Sequence, residues 1–134
     1  MKLQTILVAV DGSEGAQRAV VWAAHLARST GAEVVVVHAR GLLESMSHDA
    51  ALRSFETDWC SPLDAANVHY RRVLRDGDPV TVILASAEEE DADVIVIGSR
   101  GLGAYPEQLL GSTSTQVAQR STRPVTIVPS GVAR

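Results

Sequence analysis

A chain of 134 residues has the size of one domain and is long enough to bury a core without disulfide or metal staples. Apolar residues make up 46% of it, which excludes a disordered chain, and aromatics only 4%, so Val, Ile, Leu and Ala must fill the interior. The net charge of −4, with no strongly basic segment, argues against a non-specific nucleic-acid binder, and the single cysteine, Cys60, excludes an internal disulfide.

Leu3 to Val10 is a short apolar run rich in β-branched residues and predicts a strand, ended by the turn signal Asp11-Gly12-Ser13. The run is too short for the apolar core of a signal peptide, and no apolar stretch approaches membrane-spanning length; the one thiol makes a reducing cytoplasm the simplest expected setting. Glu14 to Thr30 reads as a helix with Ala16, Ala19, Val20, Ala23, Leu26 and Ala27 inward, Ser13 as its N-cap and Gly31 at C′. Glu33 to Ala39 is the clearest strand. Its four consecutive valines imply burial on both faces, as in a parallel sheet covered by helices on each side. Gly41 to Leu63 is less patterned and predicts a loop, then a helix near His48 to Pro62.

Val68 to Leu74 predicts a strand. Asp76-Gly77 supplies a turn, Asp78 an N-cap and Pro79 the first position of a helix carrying Val80, Ile83, Leu84 and Ala87. The acidic run Glu88-Glu89-Glu90-Asp91 falls at its end, where the helix dipole disfavours it, so the helix is expected to fray or stop there. Asp93 to Gly98 is a continuous apolar strand. A long glycine-bearing loop follows, then a helix from Ser114 to Ser121 and a last strand from Pro124 to Pro129. This alternation predicts one α/β domain over residues 1–134, a doubly wound five-stranded parallel sheet with helices on both faces.

In such sheets ligands bind beyond the carboxyl ends of the strands. The segment Gly98 to Ser114 is the richest of these ends. Gly98 directly follows a buried strand and offers room for a ligand at the backbone. Gly101 and Gly103 permit successive amides to face one concavity, and Gly111 opens the next helix, whose free amides favour phosphate. The hydroxyls of Ser112, Thr113 and Ser114 suit phosphate oxygens or a Mg²⁺-bound water, and Arg100 adds charge at the rim. The same glycines also suit a loop that merely turns the chain, and Ser112 suits an N-cap. A Walker A loop is excluded because the segment has no lysine, and a dinucleotide fingerprint fails at Pro106.

The spacing Gly98-x2-Gly101-x9-Gly111-Ser112 resembles the glycine motif of the ATP-binding universal stress proteins, and Ile6 to Ser13, Val34 to His38, Gly77-Asp78-Pro79 and Arg123 to Pro129 extend the resemblance over the chain. It implies strand order 3-2-1-4-5 in a fold similar to the adenine-nucleotide alpha-hydrolases. It also implies adenine contacts at Asp11 and Ala39, a nucleotide-binding position at Ala9, ribose near Gly98, and phosphates held at Gly101, Gly111, Ser112 and Ser114, with a divalent ion such as Mg²⁺ alongside ATP. Ala39 is smaller than the valine common there, and Ala9 stands where some members have proline.

No Ser–His–Asp arrangement and no G-x-S-x-G elbow is present, so a nucleotide-dependent regulatory or stress-response module is the expected function. A slow ATP hydrolase or phosphate- or adenylyl-transferring enzyme, and a nucleotide-free structural dimer module, are the two alternatives. With strand order 3-2-1-4-5 the apolar strand Pro124 to Pro129 is an edge, and pairing with its twofold copy in a homodimer would cover it. His25, His48 and His69 form no metal spacing, His38 reads as a core or rim histidine, and Trp22 and Trp59 as packing residues.

Overall fold

The computed structural model describes residues 2–41, 53–100 and 110–130. Five strands form one sheet: β1 Thr5–Val10, β2 Glu33–Arg40, β3 Tyr70–Asp76, β4 Val94–Gly98 and β5 Val125–Val128. All pairings are parallel, and the order is β3-β2-β1-β4-β5. The expected order is therefore observed, and its reversal falls between β1 and β4, the switch point where ligands bind in open α/β sheets.

The helices lie on both faces. Helix α1, Glu14–Thr30, packs its alanine-rich stripe on the even-numbered residues of β1 and β4, together with Val34 and Val36 of β2. Small side chains let its backbone come close to the sheet. Ser13 caps it by accepting from the Ala16 amide at 3.1 Å, and Gly31, at φ +78°, closes it by donating to the Ala27 carbonyl at 2.8 Å. On the opposite face, α3, Pro79–Glu89, and α4, Ser112–Arg120, cover Leu7, Ala9, Val35, Val37, Ile95 and Ile97. Asp78 caps α3 through the Thr81 amide at 3.0 Å, with Pro79 at its first position.

Three boundaries differ from expectation. α4 begins at Ser112 rather than Ser114, so Ser112 is its first residue and Gly111 its N-cap. Strand β3 runs from Tyr70 to Asp76 rather than from Val68 to Leu74, because its partner β2 continues to Arg40 and Arg40 pairs with Asp76 at 2.6 Å. A single helix near His48 to Pro62 is replaced, within the described part, by helical residues 53–56, a 3₁₀ turn Asp58–Cys60 and a short α2, Ser61–Ala65. Pro62 opens α2 instead of ending a helix, since the first turn needs no proline N–H. Residues 48–52 lie outside the described residues.

The acidic run is wired into the sheet. α3 ends inside it at Glu89. Glu88 and Asp91 face Arg123, at 3.4 and 3.1 Å, Glu89 pairs with Arg75 and Glu90 with Arg71. The run thus ties α3 to β3 and to the approach of β5, which offsets its unfavourable place in the helix dipole.

Asp93 joins the N-terminal strand to β4: its carboxylate accepts from the amides of Gln4 and Thr5, at 2.8 and 3.0 Å. Those two amides hold its carboxyl below the usual aspartate range. With the native pKa depressed, this contribution is complete above the unfolded value of about 4 and is lost as pH falls through the lower native one. Asp93→Asn is expected to lower the melting temperature at pH 7, with the gap to wild type closing towards pH 3. Melting curves across that range check it, and a gap that stays constant counts against the account.

Candidate functional site

The site is built where β1 and β4 end. β1 delivers Asp11, whose carboxylate accepts from the Ser13 amide at 2.9 Å, so the turn role and the placement at the switch point coincide. Gly12 turns the chain at φ +84°, and Trp59 packs on it: a Cβ at Gly12 would lie 2.6 Å from the indole. Trp59 meets the His38 ring edge-on at 4.9 Å, and His38 Nδ1 lies 2.9 Å from the Val10 carbonyl. His38 is a satisfied core histidine, as the sequence suggests. This aromatic roof braces the β1 end from the α1 face, while Ala9 and Ala39 point to the other face among the residues covered by α3 and α4.

The β4 end is organised around one peptide. The Ser99 amide donates to Val128 O at 2.9 Å, which fixes it to β5. The Ser99 carbonyl accepts from the Gly111 amide at 2.6 Å and from the Ser114 hydroxyl at 2.8 Å. The start of α4 therefore hangs directly on the residue after β4. Ser114 is only 2% exposed, and its hydroxyl also lies 3.1 Å from the Gly111 carbonyl, so its proton serves the loop closure. Ser112 is exposed and Thr113 half-buried at the open end of the same turn.

Gly111 takes φ −75° and ψ 170°, extended backbone open to any residue, so no turn geometry demands glycine there. As an N-cap without a side chain, it leaves the first-turn amides of Ser112, Thr113 and Ser114 with no acceptor from the cap. Those amides, on the positive end of the helix dipole, are suited to an anion. The Arg100 guanidinium donates to the Ser130 hydroxyl at 2.8 Å, at the rim. Gly101 and Gly103 lie outside the described residues.

Gly98 has a packing cause that the sequence does not display. It faces α1, and a Cβ there would lie 2.6 Å from the Gly15 carbonyl oxygen. On the side that a Cβ would occupy, the space is filled by helix backbone. Gly15 was missed by sequence reasoning. Its signal was a glycine in the first turn of an otherwise alanine-rich helix, where glycine costs helix stability. Among the described residues, no group of three or more His, Cys, Asp or Glu side chains is placed to hold a metal ion.

A doubly wound parallel domain, with an anion-suited helix start beside its switch point, is what fold and site define. The Universal stress protein family model matches residues 2–129. A universal stress protein of Thermus aquaticus is 37% identical over 134 residues, covering 93% of this chain and 98% of that one. A universal stress protein solved in complex with cAMP superposes with a TM-score of 0.78 at 31% identity, covering 96% of this chain and 98% of that one. One from Archaeoglobus fulgidus, solved in complex with dAMP, gives 0.75 at 29%, covering 96% and 99%. The chain belongs to the universal stress protein family.

Proposed function

We propose that this protein is an ATP-binding universal stress protein acting as a nucleotide-dependent regulatory module. The observation that carries the reading is the capless start of α4, whose amides at Ser112, Thr113 and Ser114 are set at the switch point by the Ser99 carbonyl. Phosphates fit there; adenine fits beyond β1 and β2, near Ala9, Asp11 and Ala39; Gly98 and Arg100 border the path between. That two relatives of similar fold were solved with cAMP and dAMP supports an adenine nucleotide as the ligand class. With no group of three or more His, Cys, Asp or Glu side chains placed to hold a metal ion among the described residues, a Mg²⁺ ion would be held mainly by the phosphates, with the Ser112 and Thr113 hydroxyls or waters completing its shell.

The setting is proposed to be cytoplasmic, which suits a chain whose one thiol, Cys60, is free and buried. A homodimer through the edge strand Pro124–Pro129 is part of the proposal. The opposite edge, β3, carries Arg71, Arg72 and Arg75, which blunt it, whereas β5 presents Val125, Thr126 and Ile127 half-buried and uncharged.

The test is direct. Purified protein is denatured and the supernatant chromatographed, beside a Gly101→Ala, Gly111→Ala double variant. An adenine nucleotide is expected from the wild type. In titration with ATP and Mg²⁺ the variant is expected to bind at least tenfold more weakly, a loss of about 1.4 kcal/mol or more. Gly111 already has backbone angles that alanine accepts, so strain in those angles does not contribute to the loss. No nucleotide released and no ATP uptake would leave the structural dimer module standing.

A further inference from the structure

The N-terminus of α1 touches the β4 end backbone to backbone. A Cβ at Gly15 would overlap the Arg100 carbonyl oxygen outright, and a Cβ at Gly98 would lie 2.6 Å from the Gly15 carbonyl oxygen. The approach is tight from both sides: a Cβ on Gly98 would press on Gly15, and a Cβ on Gly15 would press on the Arg100 peptide two residues beyond Gly98. Neither is demanded by its own backbone angles, since the positive-φ glycines among the described residues are Gly12, Gly31 and Gly77. The contact itself is therefore what glycine serves at both places.

The peptide held by this contact is the one that sets the phosphate end of the site. Between Gly98 and Arg100 stands Ser99, 5% exposed, whose amide is tied to Val128 and whose carbonyl receives the Gly111 amide and the Ser114 hydroxyl. A shift of the Arg100 carbonyl moves the peptides on either side of it. It moves the Ser99 carbonyl, and with it the first-turn amides of α4. α1 is in turn anchored at the other end of the site, because Ser13 caps it immediately after Asp11.

We infer that Gly15 is a positioning residue for the bound nucleotide's phosphates, acting through the Arg100 carbonyl and the Ser99 peptide, and that it locks the β1–α1 turn and the α4 start into one cradle. The inference rests on the nucleotide reading above. It predicts a particular asymmetry. Displacing Gly15 should disturb the phosphate half of the site far more than the adenine half, which is set by β1, β2 and the Asp11 turn.

Gly15→Ala is the test, and its sign is informative, because alanine inside a helix is otherwise favoured over glycine. The control is Gly31→Ala, which strains a φ of +78° with nothing within 4 Å and lies at the far end of the same helix. Binding of ATP and of adenosine is titrated to wild type and both variants. The expected result is that the preference for ATP over adenosine shrinks at least tenfold in Gly15→Ala and is unchanged in Gly31→Ala, although both melt at lower temperature. A merely structural role for Gly15 would lower stability and leave the preference alone.

Should Gly15→Ala not fold, hydrogen exchange on the wild type decides. ATP or inorganic triphosphate is expected to slow exchange of the amides of residues 14–18, and adenosine is not. ATP that binds the wild type with the preference intact in Gly15→Ala, or without slowing those amides, overturns this inference alone. No ATP binding by the wild type overturns the nucleotide reading and this inference with it.

Discussion

Replacing Gly98 with valine is expected to destabilise the protein by about 3 kcal/mol, the upper end of what overpacking a dense interior costs. Local preference points the other way. Val94 and Val96 precede Gly98 on the same face of β4, and valine would continue the pattern with a good strand former. Packing wins because the neighbour is the Gly15 carbonyl, 2.6 Å from the first added atom. A side chain could rotate away; helix backbone cannot move without shifting the α1 start and the Ser13 cap with it. Gly98→Ala adds only the Cβ and should cost roughly half as much. Gly41→Ala, where an added Cβ meets nothing within 4 Å, is expected to stay within about 0.5 kcal/mol of wild type. Urea denaturation midpoints for the three variants check this. A Gly98→Val protein as stable as wild type would mean that α1 does not approach the β4 end as described.

Gly98 also shows how a sequence signal can have a cause that the sequence does not display. A glycine after a buried strand reads as space for a ligand, because the sequence displays no partner on the other side. The partner is Gly15, more than eighty positions away, and no local pattern links the two. Ser114 is a similar case. Its hydroxyl reads as a phosphate donor from the motif, yet burial commits it to the Ser99 and Gly111 carbonyls. What remained legible was local or periodic. The four valines of β2 are buried, the Ser13 and Asp78 caps form and Gly31 takes the left-handed turn, whereas the sheet order, also observed, was implied only by the family resemblance. β3 was misplaced by two residues because an edge strand rich in arginine lacks the alternation that marks a half-buried one. Its true end is set by pairing with β2.

Residues 53–66 were the least legible described segment, and the strongest core effect is expected there. Phe55→Ala should cost about 3 to 4 kcal/mol. Phe55 is 1% exposed and heads the fully buried side chains by volume. It packs with His38 at 5.6 Å and Trp59 at 5.9 Å, and its carbonyl accepts from Arg72 Nε at 3.2 Å and from the Cys60 thiol at 3.4 Å. Helical pieces this short have no period to read. One aromatic anchor with backbone bonds around it does the fixing that an amphipathic stripe does in α1. Cys60 provides a second readout. Burial raises its thiol pKa, and in the native protein it is shielded, so labelling by a thiol reagent should be slow. In Phe55→Ala the cavity beside it should let the segment open locally, and labelling should accelerate by more than the global loss of stability explains. Phe55→Leu, which keeps most of the volume, should cost about 1.5 kcal/mol or less and leave labelling slow. Fast labelling of Cys60 in the wild type would show that the segment is not seated on the α1 face. Then the roof that Trp59 and His38 form over the Gly12 turn would lose its support as well.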